Sequence, residues 1–274
     1  MDKQDRLPTT YLFVPANRPD RYAKAFAAGA DAVIVDLEDA VSPEDKEIAR
    51  RALGDWCTAH ADMAARIIVR INDETTQWFE DDLALAKGAG INTIMLPKAE
   101  LASQIGRVRA ALAPNSAIIP IVETARGLLN VDAVTVSAGV QRLAFGTLDY
   151  AVDLDLSGDE RGLIYPACRM ALASRAAGLA APIAGVTVDL ADDAVLLSDL
   201  AFARACGFTA KLCIHPKQVA LIQRALTPGT SEVDWAQRVI AAAAASRGAV
   251  QVDGKMVDRP VLLKAQAILD RMPA

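Results

Sequence analysis

The sequence predicts a (β/α)8 barrel, and three observations support this fold class. Eight short apolar runs rich in Val, Ile and Leu recur between residues 11 and 215, and each is too short to be a helix. Ala-rich segments with helical spacing and charged faces separate the runs. The 274 residues are 53% hydrophobic, which strands buried on both faces require. Eightfold alternation of strand and helix at this chain length is typical of such a barrel.

The predicted strands cover residues 11–15, 32–37, 66–72, 93–97, 117–123, 142–146, 183–190 and 211–215. Predicted helices include residues 21–28, 43–59, 79–86, 101–112 and 196–205, and Gly29, Gly90, Gly178 and Gly207 mark returns from helix to strand. The longest gap, between the sixth and seventh runs, contains a polar stretch, 153–161, that is predicted to be a loop at the rim. An open doubly wound sheet is the alternative, but no GxGxxG follows the first strand to support it.

After the eighth run the pattern changes, which predicts a barrel over residues 1–217 and a C-terminal extension over residues 218–274. Segments 218–225 and 232–246 have helical patterns, and a last helix is predicted over 259–271. Asp253-Gly254 lies within the alternating residues 249–258 and predicts a hairpin. The extension is too small to hold a core of its own, so we expect it to pack on a neighbouring subunit or on the barrel.

Composition excludes several classes of protein. The net charge is −5 and no Lys/Arg cluster stands out, which argues against nucleic-acid binding. No uncharged apolar run approaches the ~20 residues of a membrane span, and the polar residues 1–6 lack a signal-peptide core. The four cysteines form no CxxC pair and match no zinc spacing. We therefore expect a reduced, cytoplasmic protein whose partners are small molecules.

Two acidic residues close buried strands. Glu123 ends the fifth run, and Asp149 follows the sixth. A carboxylate in this position costs several kcal/mol in desolvation unless something neutralises it. In a parallel barrel both reach the same rim, where two oxygen ligands with room for water and substrate suit Mg²⁺. The pattern predicts a metal-assisted enzyme, although either residue could instead be a helix cap.

Other polar residues lie where barrel active sites are found, at the C-terminal ends of the strands. These ends carry Asp36, Glu38, Asp39, Arg70, Lys98, Asp189 and His215. Arg70 would clamp a substrate carboxylate, or else form only an ion pair with Asp36 or Glu38. Lys98 could form a Schiff base, but nothing in the sequence indicates a lowered pKa, and a salt bridge in the acidic rim is the favoured interpretation. His215 is a candidate base, with a structural hydrogen bond as the alternative.

Seven motifs in order carry a resemblance to a known family. They are LFVPANRPDR at 12–21, VDLEDAV at 35–41, VRIN at 69–72, MLPK at 95–98, ETARG at 123–127, FGTLD at 145–149 and CIHP at 213–216. Together they resemble the citrate lyase β-subunit-like group within the HpcH/HpaI aldolase superfamily, nearly end to end. The resemblance implies a (β/α)8 barrel that binds Mg²⁺ and cleaves or forms a C–C bond in malyl-CoA, citramalyl-CoA or citryl-type thioesters.

The resemblance also implies roles for individual residues. The family's metal ligands fall on Glu123 and Asp149, and its substrate-carboxylate arginine falls on Arg70. The turn over residues 36–41, which includes Asp36, Glu38 and Asp39, contributes to the substrate pocket. Contacts to CoA map near Phe13, Arg21, Lys24 and Asp189, the last also a candidate substrate-binding residue.

The tail has its own counterpart in the family. Residues 254–260 resemble a segment that supplies a catalytic Asp to the neighbouring subunit's site in stand-alone acyl-CoA lyases, which implies that Asp258 is the acid/base. The same resemblance suggests a homotrimer. Asp258 therefore favours a free CoA substrate in a homo-oligomer.

We expect a Mg²⁺-dependent lyase of a 3-hydroxy dicarboxylic acyl-CoA, with citramalyl-CoA as first choice and malyl-CoA as second. One alternative is the β-subunit of a citrate lyase complex acting on a citryl thioester. Another is a catalytically silent barrel that binds CoA or a keto acid, which the intact set of Arg70, Glu123, Asp149 and Asp258 argues against. A third is an aldolase of free hydroxy keto acids, which would prefer a histidine near the second strand.

Overall fold

The computed structural model describes residues 7–245 and 250–272, which fall into two compact units. One unit is Leu7–Ile222, and the other contains the described residues from Gln223 onward. The division lies a few residues beyond the predicted boundary at 217. The polar residues 1–6, the last residue of the helix predicted over 232–246 and the first of the hairpin segment 249–258 lie outside the described residues.

The Leu7–Ile222 unit is a closed barrel of eight parallel strands in sequence order. The strands are β1 (Thr10–Pro15), β2 (Ala32–Asp36), β3 (Ile67–Arg70), β4 (Thr93–Leu96), β5 (Ala117–Val122), β6 (Ala144–Phe145), β7 (Ile183–Ala184) and β8 (Ala210–Cys213). β8 pairs with β1 and closes the barrel. The predicted fold class is confirmed, and every predicted run overlaps its strand.

Helices alternate with the strands on the outside of the barrel. They are α1 (Tyr22–Ala27), α2 (Lys46–Ala59), α3 (Ala61–Ala64), α4 (Phe79–Gly88), α5 (Ala102–Ala111), α6 (Ala125–Leu129), α7 (Val131–Thr135), α8 (Thr147–Asp153), α9 (Arg161–Ala176), α10 (Asp193–Ala205) and α11 (Pro216–Leu226). Glycines predicted at the helix-to-strand returns have left-handed backbone, as at Gly90 (φ +67°) and Gly207 (φ +97°).

Branched and aromatic side chains from successive strands fill the inside of the barrel. The buried cluster includes Tyr11, Ile34, Ile68, Met95, Ile121 and Leu212. Strands whose two faces are both covered bury nearly every residue, and all five residues of β2 are buried. This packed interior leaves the C-terminal ends of the strands as the place for chemistry.

The seventh strand is much shorter than its predicted run of 183–190. After Ala184 the chain leaves the sheet, and the Gly185 carbonyl accepts a hydrogen bond from Lys211 Nζ (2.7 Å). Gly185 also lies so close to Thr147 and the Phe145 carbonyl that a side chain there would collide with both. The rest of the run is therefore a rim loop, which includes Asp189.

The C-terminal unit contains α12 (Thr230–Ala245), β9 (Val250–Val252), β10 (Lys255–Val257) and α13 (Arg259–Leu269). β9 and β10 form the predicted antiparallel hairpin, and its Asp253-Gly254 turn has positive φ at both residues (+53° and +72°). The expectation that this extension holds no core of its own is wrong. Small residues let the two helices pack together around a cluster of four buried side chains, Ala236, Val239, Ala265 and Ile268.

Two predictions from composition concern the described part of the chain. None of its helices combines the length and the apolar character that crossing a membrane requires. All four cysteines lie within it and are free thiols, with Cys57 and Cys213 buried.

Candidate active site

A cavity of about 350 Å³ lies at the C-terminal ends of the barrel strands. Its lining includes six of the predicted site residues: Phe13, Asp36, Asp39, Arg70, Glu123 and Asp149. They come from β1, the β2 end, β3, the residue after β5 and the first turn of α8. The parallel order of the strands brings these distant sequence positions to one rim.

Asp36 holds the guanidinium of Arg70 in a two-point ion pair. Arg70 Nε donates to Asp36 Oδ1 (2.7 Å) and Nη2 donates to Oδ2 (2.6 Å). The two residues are register partners on β2 and β3. The backbone N–H groups of Glu38 and Ala40 also donate to the Asp36 carboxylate (2.9 and 3.0 Å). Both Asp36 oxygens are therefore engaged, and Asp36 acts as a residue that orients Arg70.

The opposite edge of the Arg70 guanidinium faces other acidic groups. Nη1 lies 2.9 Å from Glu38 Oε2 and 3.4 Å from Asp39 Oδ2. The guanidinium carbon lies 4.9 Å from the centre of the Phe13 ring, at cation–π distance. Arg70 thus forms the ion pairs that the sequence left open as an alternative, and it lines the cavity as well.

Glu123 is a buried carboxyl, only 3% exposed. One of its oxygens accepts the backbone N–H of Lys98 (2.7 Å). Burial raises the pKa of Glu123 to about 8, and the Glu38 and Asp149 carboxylates act in the same direction. A nearby cation would favour the ionised form of this carboxyl.

The helix-capping alternatives for the two carboxylates are not borne out. The N-cap of α6 is Thr124, whose hydroxyl accepts the N–H of Gly127 (3.0 Å), so Glu123 is free of that role. Asp149 is exposed in the first turn of α8. The N-cap of α8 is Gly146, and no side chain caps this helix.

Lys98 shapes the rim through its backbone and its side chain. It has a left-handed backbone (φ +45°), a conformation that a non-glycine residue adopts only when its surroundings impose it. Its ammonium lies 3.5 Å from Glu38 Oε1 and 3.4 Å from Asp73 Oδ2. Burial lowers the pKa of Lys98, but Glu38 and Asp73 outweigh it and leave the pKa raised. The predicted salt bridge is confirmed, and a raised pKa disfavours a Schiff-base amine.

Sequence reasoning missed two contributors to this rim. Asp73 directly follows the predicted third strand, so the strand-end rule used for the other residues would have found it. Gly146 gave only a weak signal in the sequence, which is the position of a glycine between β6 and the predicted metal ligand Asp149. Its role depends on the close approach of Glu123 from β5, which only the folded chain shows.

The donor set at the rim fits a divalent cation. The cavity and its border carry more carboxylates than cations, and burial raises the pKa of Glu38 to about 7. Among the described residues no three His, Cys, Asp or Glu side chains form a ready-made metal cage. Two carboxylates with open positions for water and substrate are the arrangement that Mg²⁺ accepts.

Four predicted site residues lie away from this cavity, while Glu38 borders it beside Arg70 without lining it. Arg21 and Lys24 are exposed on the turn before α1 and on α1 itself. Asp189 lies in the loop after β7, where it accepts the N–H groups of Ala191 and Asp192 (2.7 and 3.0 Å). Asp258 belongs to the C-terminal unit and is the N-cap of α13. The structure thus places the metal and carboxylate candidates in one cavity but leaves these four outside its lining.

We predict that Gly146→Ala weakens Mg²⁺ binding by at least about tenfold. The added methyl group would collide with the Glu123 side chain, including its Oε2 atom, and the carboxylate would have to move away. Calorimetric titration with Mg²⁺ measures the effect. Gly106→Ala on α5 is the matched control, because nothing lies within 4 Å of its added methyl group. Equal Mg²⁺ affinity for both variants would contradict the prediction.

Without Mg²⁺, we predict that the free energy of unfolding falls as pH rises from about 5 to about 8. In the unfolded chain a Glu titrates near its ordinary pKa of 4.5, whereas folding raises the pKa of Glu123 to about 8 and of Glu38 to about 7. The folded protein therefore holds more protons across this window, and stability declines with pH. Urea unfolding at several pH values measures the slope. The slope should shrink in Glu123→Gln, and an unchanged slope would refute this assignment.

The comparisons with known proteins agree with the fold. A model described as HpcH/HpaI aldolase/citrate lyase matches residues 9–216. The chain therefore belongs to the HpcH/HpaI aldolase/citrate lyase family, whose members are enzymes of lyase and aldolase type. The family membership expected from the seven motifs is confirmed.

Individual relatives cover nearly the whole chain. A "Citrate lyase subunit beta-like protein" of Mycobacterium tuberculosis is 38% identical, over 95% of this chain and 94% of that protein. A "(3S)-malyl-CoA thioesterase" of Cereibacter sphaeroides is 33% identical, over 94% of each. A crystal structure of the protein CitE of Mycobacterium tuberculosis in complex with magnesium, acetoacetate and coenzyme A has a TM-score of 0.84 at 35% identity. The match covers 96% of this chain and 97% of the CitE chain.

Proposed function

We propose that this protein is a cytoplasmic, Mg²⁺-dependent lyase that cleaves a 3-hydroxy dicarboxylic acyl-CoA to a keto acid and acetyl-CoA. Citramalyl-CoA is the first candidate substrate and malyl-CoA the second. The observation that carries the proposal is a single cavity lined by Arg70, Glu123 and Asp149. It combines a positioned guanidinium for a carboxylate with an acidic pair for a cation.

Glu123 and Asp149 are the residues that would hold Mg²⁺. When bound, the ion supplies Lewis acidity toward the hydroxyl or carbonyl oxygen at the C–C bond that breaks or forms. The raised pKa of Glu123 supports this role, because a carboxyl that is costly to ionise alone gains most from a cation. Crystal structures of CitE of Mycobacterium tuberculosis with magnesium and pyruvate, and with magnesium, acetoacetate and coenzyme A, support magnesium as the metal.

Arg70 would bind the carboxylate of the keto-acid part of the substrate. Asp36 holds the Nε and Nη2 side of its guanidinium, so the edge that includes Nη1 remains for the substrate, in competition with Glu38 and Asp39. Phe13, beneath the guanidinium, contributes apolar surface to the same cavity. Glu38 and Asp39 would therefore affect the pocket in two ways. They compete with the substrate for Arg70, and they form part of the turn after β2.

Asp258 would move the proton at the α-carbon of the acyl-CoA. In cleavage it protonates the carbon that leaves as the enolate of acetyl-CoA, and in condensation it removes a proton from the methyl group. We propose that the C-terminal unit packs on a neighbouring protomer of a homotrimer and supplies Asp258 to that protomer's site. The exposed cations Arg21 and Lys24 would meet the phosphates of CoA, with Asp189 as a further substrate contact.

A second candidate is the β-subunit of a citrate lyase complex. Relatives named "Citrate lyase subunit beta", including that of Escherichia coli at 31% identity over 98% of this chain, favour it. Such a subunit would need partner subunits and a citryl thioester on a carrier. Size-exclusion chromatography of the isolated protein together with a citramalyl-CoA cleavage assay separates the two candidates.

One screen tests the proposal. Purified protein with Mg²⁺ is given malyl-, citramalyl- or citryl-CoA, and keto acid and free CoA thiol are both measured, with a chelator-treated sample as control. The expected result is keto acid formation from citramalyl-CoA with no matching release of free thiol. Thiol release without keto acid would indicate a thioesterase and overturn the proposed lyase. Failure to turn over any of the three thioesters would overturn both the lyase and the thioesterase interpretation.

A further inference from the structure

A second cavity, of about 390 Å³, lies beside the candidate active site. It is lined by β7 and the loop after it, by α8, α9 and α10, and by the exposed loop over residues 156–160, where it opens to solvent. Four residues line both cavities: Phe145, Thr147, Leu148 and Val186. We call this space the side cavity. Because it shares these lining residues with the first cavity, it lies next to the candidate reacting groups.

Small side chains create the side cavity. Ala151, Ala167, Ala184, Gly185 and Ala203 contribute to its walls, and Phe202 and Phe208 contribute aromatic surface. A largely apolar space of this volume next to reacting groups falls within the range of ligand pockets.

Charge limits what the side cavity can hold. Its lining includes four acidic residues, Asp159, Glu160, Asp189 and Asp199, against one cation, Lys211. Lys211 is 1% exposed and donates to the Gly185 carbonyl, while Asp199 accepts the Thr187 hydroxyl. A phosphate or carboxylate in this space would face mostly like charges, of which Asp159 is already paired with Arg161. The lining therefore favours an uncharged group over a phosphate or the keto-acid carboxylate.

We propose that the side cavity receives an uncharged alkyl chain carried by one of the two compounds that the enzyme joins. This inference rests on the proposed function and deepens it, because it makes the substrates a class with a longer apolar branch and not malyl- or citramalyl-CoA alone. The chain could extend from the acyl group of the thioester or from the keto acid. In either case the reaction is unchanged: the acyl-CoA loses its α-proton, a bond forms to the keto carbon, and the keto oxygen gains a proton.

Two substrate series distinguish the source of the chain. Condensation rates are measured with pyruvate and acetyl-, butyryl- or hexanoyl-CoA, and separately with acetyl-CoA and pyruvate or 2-oxohexanoate. We expect one series to keep its kcat/KM as the chain lengthens. If both series lose activity steeply beyond the shortest member, the proposal is wrong.

Filling the side cavity provides the matched test. Ala203→Leu on α10 and Ala167→Leu on α9 add bulk at two positions that line this space and do not line the first cavity. We expect kcat/KM for the long-chain substrate to fall at least about tenfold while the short-chain value stays within about twofold. Ala201→Leu, at an exposed position of the same helix, should change neither. Equal losses for long and short substrates would overturn the assignment.

A binding measurement keeps this test separate from the proposed function. Calorimetry with acetyl-, butyryl- and hexanoyl-CoA needs no turnover. Tighter binding of the longer thioesters by the original protein, lost in both cavity-filling variants, would support the side cavity on the thioester side. The same titrations with pyruvate and 2-oxohexanoate test the keto-acid side. Affinities independent of chain length in both sets would refute the inference, even if no pair of compounds is condensed.

Discussion

Glu123→Ala is expected to abolish measurable Mg²⁺ binding and to lower kcat by about 10³-fold or more. A bound cation contributes several kcal/mol of charge stabilisation to such a reaction, and each 1.36 kcal/mol corresponds to about tenfold in rate. Glu123 is the more buried of the two proposed ligands and is positioned by the Lys98 N–H. Its loss therefore removes a prepositioned ligand and not merely a surface charge. Mg²⁺ titration and a citramalyl-CoA cleavage assay measure the two effects.

Glu123→Gln separates charge from shape in this experiment. The amide oxygen can still accept the Lys98 N–H, so the rim should keep its geometry, and without Mg²⁺ the variant should be at least as stable as the original protein near pH 8. It should nevertheless bind Mg²⁺ far more weakly. Unchanged Mg²⁺ affinity in both variants would remove Glu123 from the proposed metal site.

Asp258→Asn is expected to reduce turnover by about 10²–10⁴-fold, the usual contribution of a general acid or base, with little change in Mg²⁺ affinity. The structure indicates that this substitution removes the acidic group and preserves the helix cap. Asp258 caps α13 by accepting the N–H of Val261 (3.1 Å), and Asn is as good an N-cap as Asp. The variant therefore keeps the helix cap and loses only the titratable group.

Two controls make the Asp258 result interpretable. Asp192→Asn alters another aspartate N-cap, that of α10, and should leave turnover within about twofold. Mixed oligomers of Asp258→Asn and Glu123→Ala protomers should recover part of the activity if each site combines residues of two chains. Full activity in Asp258→Asn would exclude it from the chemistry, and absence of recovery would point to a site built from one chain.

Strand positions and the identity of the rim residues followed from local patterns. Runs such as 32–37 and 117–123 are apolar on both faces, which only a covered parallel strand tolerates, so β2 and β5 were predictable. The acidic residues that end these runs stood out because ionised groups are costly there. The seventh run was misleading, because 183–190 has strand composition, yet the strand ends at Ala184 and the next carbonyl, that of Gly185, accepts a hydrogen bond from the Lys211 side chain.

The C-terminal extension shows the opposite failure. Its length suggested that it could not bury side chains by itself, yet Ala236 and Ala265 allow α12 and α13 to approach closely enough for a small core. Helix-to-helix contact depends on which faces meet, and a pattern along one chain segment does not specify that. The Asp253-Gly254 turn, in contrast, is local chemistry and was predicted correctly.

From its residues alone, this chain was committed to a closed eight-stranded barrel with an acidic rim, because strand burial and strand-end charge are properties of neighbouring residues. Three further features depend on the folded chain. Asp36 forms a two-point ion pair with one side of Arg70, and Gly146 leaves space for Glu123. Alanines from three helices line a cavity beside the candidate active site. These relations join residues that lie tens of positions apart in the sequence. They depend on distances of a few ångströms between side chains of different strands and helices, which no pattern within a single segment contains.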